Sequence, residues 1–472
     1  MIKKVFLFAL LLALLIFTRF YNLDKTARFI WDESSDLVNI HQIFVEKNLT
    51  LIGPISEDGN KVFGSLTYYM LLPFAVIGNF DPISTAYGAA FWGVLTCLLI
   101  IYLGFKVNKK ALFFLIPITL LWYPLVETGR WAWNPNLIPF WVILSLIFYF
   151  KKSSLFKFLS GLSMGLTVHL HYLAIFTAAA FAIVILFESI KYKKLKDFFC
   201  YLLGLILALS PFVIFDITHP PGLFLSRILY FNNLGNPQAT ITFGQKLLNI
   251  IDGSFFYFGQ SNFVKLILLI LTTLIMVLDI KKKSPALKYL FVLVIQLVCL
   301  AFFANFYTHY ILAVIPFFIL YLIYPRQSPA EKMSYFILSV VIISSLVSFP
   351  KQISKISWES DIASTRNIVK IIEVQVKSKD MKNVNIAVLS SPDRNPCGKR
   401  YRDLLLIKGV NLKNKAEYEI SDSLFVITTS PLEVVRKDPA YEIKFFQNGN
   451  LIEAWNIPES DWKVFLLSRS LR

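Results

Sequence analysis

Up to about Phe349 the chain alternates long apolar runs with short loops rich in Lys and Arg, and this pattern narrows the possible folds more than any other. A helix of about 20 apolar residues crosses a bilayer core. With no water inside that core, only helices and closed barrels satisfy their own backbone. The chain therefore reads as a polytopic α-helical membrane protein. Its composition agrees, with 56% of 472 residues hydrophobic and 44 Phe. A net charge of +17 would suggest nucleic acid, but the excess sits in loops between spans, where the positive-inside bias puts it. No nucleic-acid partner is expected.

Placing every basic cluster on the cytoplasmic side gives a consistent path. Residues 1–17 have the basic start and apolar stretch of a signal segment, but no small-residue cleavage site, and read as an uncleaved first helix. From about Arg19 to Ile83 the chain is expected outside. Within that segment Leu66 to Ile77 is too short to cross, and is expected to lie at the interface or re-enter. The run from Leu155 to Glu188 has cytoplasmic charges at both ends, so it crosses an even number of times and turns His169 to Tyr172 outward. About eleven crossings result. All five histidines then fall on the external side.

Residues 1–349 thus form a transmembrane domain. Residues 350–472 change to a soluble pattern and read as a small external α/β domain. Ile362 to Val376 is expected as a helix, and Val384 to Leu389 and Leu424 to Thr429 as strands. Lys444 to Trp455 is expected as a hairpin about Asn448-Gly449. Cys97, Cys200 and Cys299 lie in apolar runs and Cys397 stands apart, so no disulfide framework is available.

Candidate chemistry gathers on the external side. Asp32 and Glu33 follow Trp31 and open a helical segment. An Asp there can cap the helix, but a carboxylate against the bilayer is also partly desolvated, which raises its proton affinity toward the range useful to a general base. Arg130, in Glu127-Thr128-Gly129-Arg130-Trp131-Ala132-Trp133-Asn134-Pro135-Asn136, is either an interfacial anchor or a clamp for a lipid phosphate. His169 and His171 diverge on a continuous helix, but can share a cavity where two helices break. No metal set at ligand spacing accompanies them, and no zinc site is expected. Nucleotide-binding loops are also missing, against ATP-driven transport and nicotinamide chemistry.

The ordered set Arg19-Phe20-Tyr21-Asn22-Leu23, Trp31-Asp32-Glu33, Tyr68-Tyr69 before Asp81-Pro82, Arg130 to Asn136 and His169-Leu170-His171-Tyr172 resembles integral-membrane glycosyltransferases of the GT-C fold. It is most similar to glycosyltransferase family 39 and its kin, the group that includes protein O-mannosyltransferases and the lipid A aminoarabinose transferase. The likeness covers roughly the first 190 residues. Where relatives have Gly-Pro-Leu-Tyr or Glu-Lys-Pro before the interfacial helix, this chain has Gly64-Ser65-Leu66-Thr67.

The resemblance implies sugar transfer from a polyprenyl-phosphate carrier to an external lipid, glycan or protein acceptor, by an inverting single displacement. Asp32 takes the role of the acidic residue in the first external loop, with Glu33 beside it. Arg130, Lys61 and His171 are the expected donor-phosphate residues, and Trp131, Asn134, His169 and Tyr172 the expected pocket lining. No cofactor is demanded, although a divalent metal would fit between carboxylate and phosphate. The rival readings are a transporter or flippase of lipid-linked sugars, and a non-catalytic envelope-binding protein. The ionisable residues gather at span ends rather than at the bilayer middle, which favours the enzyme.

Overall fold

The computed structural model describes residues 2–55, 62–224, 242–256, 262–303, 306–327, 329–354, 361–390 and 397–469. The chain divides into two compact units, one of Met1–Tyr21, Thr50–Met70 and Ala89–Ile353, the other of Asn22–Leu49, Leu71–Gly88 and Ser354–Arg472. The second unit therefore combines the C-terminal region with two pieces from the first 90 residues.

In chain order the elements up to the middle of the protein are α1 (Ile2–Phe20), α2 (Leu23–Thr26), α3 (Trp31–Val45), β1 (Ile52–Ile55), β2 (Val62–Gly64), α4 (Leu66–Ile77), α5 (Pro82–Val107), α6 (Leu112–Leu121), α7 (Tyr123–Thr128), α8 (Ile138–Tyr149), α9 (Ser154–Leu170), α10 (Ala174–Lys191) and α11 (Leu195–Thr218). Then follow α12 (Phe243–Phe256), α13 (Asn262–Lys281), α14 (Leu287–Phe303), α15 (Ile315–Ile323) and α16 (Ala330–Ser354). Among the described residues six helices are long and apolar enough to cross a membrane, namely α1 with α2, α5, α10, α11, α13 and α16; α4, α8 and α14 are shorter apolar helices. This is a multi-pass membrane protein.

Local chemistry explains the breaks. Ala111 to Val126, a single apolar run in the sequence, divides between two helices, because Trp122 is extended (ψ 126°) and Pro124 opens α7. Between α9 and α10 the chain breaks at His171, which is extended (φ −160°, ψ 120°). The packing of α9 on α11 depends on glycine. A Cβ on Gly161 would lie 1.9 Å from the Tyr201 carbonyl oxygen, and one on Gly204 would lie 2.1 Å from that of Phe158. Such small-residue contacts let membrane helices approach closely.

In the second unit α17 (Ile362–Ser378), β3 (Val384–Val388), α18 (Lys399–Ile407), β4 (Ser423–Thr428), α19 (Leu432–Arg436), α20 (Tyr441–Lys444), β5 (Asn450–Asn456) and β6 (Lys463–Ser468) follow one another. The sheet order is β3-β4-β6-β5, with β3 parallel to β4 and the other two pairs antiparallel. The edge strand β3 and its inner neighbour β4 are buried along nearly their whole length, as in sheets covered on both faces.

One expectation is corrected here. The hairpin joins β5 to β6 across residues 457–462, not about Asn448-Gly449. Residues 441–444 are helical, and Ile443 and Phe446 are buried in the core of the sheet-bearing unit. Gly449 serves instead for close approach, since a Cβ there would lie 2.4 Å from the Ser468 carbonyl oxygen.

Candidate active site

The Trp31-Asp32-Glu33 sequence forms the first turn of α3 in the second unit. Ile30 is extended and supplies no side-chain cap. Its backbone N–H donates to Glu33 Oε2 at 2.8 Å, so Glu33 performs the capping that the sequence had offered to Asp32. Glu33 is buried at 2% exposure, whereas Asp32, one position earlier, is half-buried. A helix N-terminus favours negative charge, so both carboxylates lie where their charge is stabilised. Ser35 Oγ donates to the Trp31 carbonyl at 2.6 Å, and Ser34 N–H to that of Ile30 at 3.0 Å, which closes the turn.

Arg130 belongs to the first unit and lies between α7 and α8. It is buried, and its guanidinium donates to the carbonyls of Thr18 (3.2 Å), Arg19 (3.1 Å) and Tyr21 (2.9 Å). These are carbonyls that the end of α1 leaves without helical partners. A cation there also complements the helix dipole. Burial pushes the Arg130 pKa down to about 10, with the positive charge of Arg19 acting in the same direction. Arg130 thus remains a cation at neutral pH.

Arg19 makes the reciprocal arrangement. Fully buried, it donates to the carbonyls of Thr119 (2.5 Å) and Leu125 (3.2 Å) around the α6–α7 break. Gly129 accounts for the residue before Arg130 in that motif, since a Cβ there would lie 3.0 Å from Arg19 Cγ and 3.2 Å from Gly93 Cα.

An aromatic and imidazole cluster forms in the same unit. Trp131 and Trp133 stack with ring centroids 4.4 Å apart and planes 7° apart, and Trp133 meets His309 edge-on at 4.6 Å. His171 lies 5.2 Å from His309, 4.9 Å from Tyr172, 5.3 Å from Phe63 and 5.0 Å from Tyr310. The Leu173 N–H donates to His171 Nδ1 at 3.3 Å. In the neutral ring the proton then sits on Nε2, which becomes the donor. Asn134 supports the break between α9 and α10, donating from Nδ2 to the Leu170 carbonyl at 2.6 Å.

The structure separates the two histidines of His169-Leu170-His171. His169 Nε2 lies 2.7 Å from the Ala208 carbonyl, and its ring stacks on Phe212 at 4.4 Å. Gly64 is required beside it, because a Cβ there would come within 2.2 Å of His169 Nδ1. His169 is therefore built into the packing of β2, α9 and α11, while His171 joins the cluster. Lys61 lies outside the described residues. Phe63, His309 and Tyr310 are cluster members that sequence spacing did not identify; the one signal was the placement of His309 on the external side. Among the described residues no group of three or more His, Cys, Asp or Glu side chains is arranged to hold a metal ion.

A helical membrane unit with broken helices, joined in one chain to a small sheet-bearing unit, defines a GT-C-like architecture. Two solved structures of ArnT from Cupriavidus metallidurans share it. The apo structure aligns over 99% of this chain and 97% of its own, with a TM-score of 0.59 and 9% identity. The structure bound to undecaprenyl phosphate aligns over 99% and 98%, with a TM-score of 0.57 and 9% identity. At that identity the likeness establishes the fold. No family model matches the chain, and no curated protein matches its sequence.

Proposed function

We propose that this protein is a membrane glycosyltransferase that moves a sugar, hexose or pentose, from a polyprenyl-phosphate carrier to a lipid, glycan or protein acceptor on the external face. The N-terminus and basic loops lie on the cytoplasmic side, and the sheet-bearing domain lies outside. The observation that carries the reading is the first turn of α3, where Glu33 caps the helix and Asp32 stands half-buried beside it. The fold shared with ArnT, one structure of which holds undecaprenyl phosphate, supports a lipid-phosphate donor.

The reaction is one displacement at the anomeric carbon. Asp32 accepts the proton of the acceptor hydroxyl as that oxygen forms its bond to the sugar. The bond from the sugar to the phosphate oxygen breaks on the opposite face, the lipid phosphate leaves with the electron pair, and the anomeric configuration inverts. Negative charge grows on the departing phosphate, and fixed donors in a water-poor setting stabilise it most. His171, through Nε2–H, and Lys61 are assigned to this role. Arg130 contributes positive charge from its place at the end of α1 rather than a two-pronged clamp, because three of its hydrogen bonds go to backbone carbonyls. The Trp131, Asn134 and Tyr172 region lines the sugar site.

Incubation of the purified protein with a radiolabelled polyprenyl-phosphate sugar and envelope membranes tests this. The expected outcome is label transfer that Asp32→Asn lowers by about 100-fold or more, the usual scale for a lost general base. Movement of the donor across vesicles without transfer would instead identify a flippase.

A further inference from the structure

We propose that Arg400 and Asp403 of the C-terminal domain are positioning residues, which hold the Asp32 turn of α3 from both sides. The inference rests on the transferase reading and gives the C-terminal domain a role in it. All the contacts lie within the second unit. Arg400, 2% exposed, donates from Nη1 to the Phe29 carbonyl at 2.9 Å, three residues before Asp32. Asp403, also buried, accepts from Ser34 Oγ at 2.7 Å through Oδ2, two residues after Asp32. Lys399 Nζ lies 3.1 and 3.0 Å from the two Asp403 oxygens.

The spacing is what makes this a clamp. Arg400 and Asp403 are three apart on α18 and so share one face of that helix. One grips the chain just before the turn and the other just after it, each through a charge-assisted hydrogen bond, the stronger kind. Between those points the Ile30 N–H bond to Glu33 completes the bracing of residues 29–34. A second attachment fixes the same domain, for Arg366 on α17 forks onto Asp81, with Nε 2.8 Å from Oδ2 and Nη2 2.5 Å from Oδ1, just before α5 begins. A general base must be held to a fraction of an ångström. A short helix following a loop does not supply that by itself, and the C-terminal domain does.

The test pairs transfer kinetics with backbone hydrogen exchange on the full-length protein in lipid nanodiscs. Asp403→Ala is expected to lower kcat by about 10- to 100-fold with the donor KM within about twofold, the pattern of a displaced catalytic group rather than lost binding. Exchange at residues 31–36 rises while β3 and β4 stay protected. Ser34→Ala removes the same hydrogen bond from the other partner, lowers kcat in the same direction, and adds little to Asp403→Ala in the double variant. Asp403→Asn, which keeps an acceptor for Ser34, recovers most of the rate.

Wild-type kcat in both Ser34→Ala and Asp403→Ala, fully additive effects, or a change confined to KM would overturn the clamp. Should Asp403→Ala open β3 and β4 as well, Ser34→Ala and Asp403→Asn decide the matter by the same criteria. If the unaltered protein transfers no sugar, the transferase reading fails, and the exchange at residues 31–36 alone judges the clamp.

Discussion

Both units bury charged side chains, but to different ends. In the helical unit Arg19 and Arg130 donate to backbone carbonyls left open at helix ends, which lets α1, α6 and α7 stop where they do. The pair Asp279–Arg326, 2.9 Å apart and about 2–3% exposed, ties the end of α13 to the segment after α15. In the sheet-bearing unit Arg366, Arg400 and Asp403 instead join elements hundreds of residues apart in the chain, and three of their four targets, Phe29, Ser34 and Ser35, flank Asp32. Charge closes backbone in the first unit and braces the segment around Asp32 in the second.

That contrast is open to attack. Arg326→Leu strands Asp279 in the helical unit and is expected to cost about 3–5 kcal/mol, the scale for breaking a buried pair. Thermal unfolding in detergent measures it, and the double change with Asp279→Leu should restore most of the loss. Next comes the glycine contact. Gly161→Val places carbon against the Tyr201 backbone, which cannot step aside as a side chain tip can, for a cost of about 1–3 kcal/mol on the same assay. Arg366→Gln breaks a pair whose partners are each 35% exposed, so its stability effect stays near or below about 1 kcal/mol after screening. An Arg366 effect as large as that of Arg326 would erase the distinction between the units.

The smallest effect concerns pH. Burial lowers the His41 pKa, partly opposed by Glu46 and reinforced by Lys408. The unfolded chain therefore binds a proton at His41 at higher pH than the folded one. Stability of the second unit is then full above the ordinary histidine range and declines as pH falls through it and toward the lowered folded value. Exchange protection of β3 and β4, measured as pH is lowered, should show this decline, and His41→Phe should flatten it.

Much of the fold was legible in the sequence because bilayer crossing imposes length and charge rules that show in one dimension. The turn at His169 to Tyr172 and the short helix Leu66–Ile77 follow from those rules, and the first helix of the tail and the strands β3 and β4 follow from their hydrophobic periodicity. The hairpin failed because Asn-Gly is a turn signal only where flanking residues pair. Here Ile443 and Phe446 were drawn into a core instead. The α6–α7 break was missed because its carbonyls are satisfied by Arg19, a residue about 100 positions earlier.

The site was half visible. Asp32, Arg130 and His171 stood out by type and context. Their partners did not, because Ser34 meets Asp403 and His171 meets His309 only after folding. Nor does periodicity reveal which of two adjacent carboxylates caps a helix; that depends on Ile30, whose side chain cannot accept a hydrogen bond.

The most direct measurement compares Asp32→Asn with Glu33→Gln, assaying transfer from the labelled polyprenyl-phosphate sugar and melting temperature on the same preparations. Asp32→Asn should melt like the unaltered protein yet transfer about 100-fold less sugar or worse, while Glu33→Gln should melt earlier and keep measurable transfer below its melting point. Active Asp32→Asn protein, or Glu33→Gln that is fully stable and inactive, would contradict the assignment of the proton to Asp32.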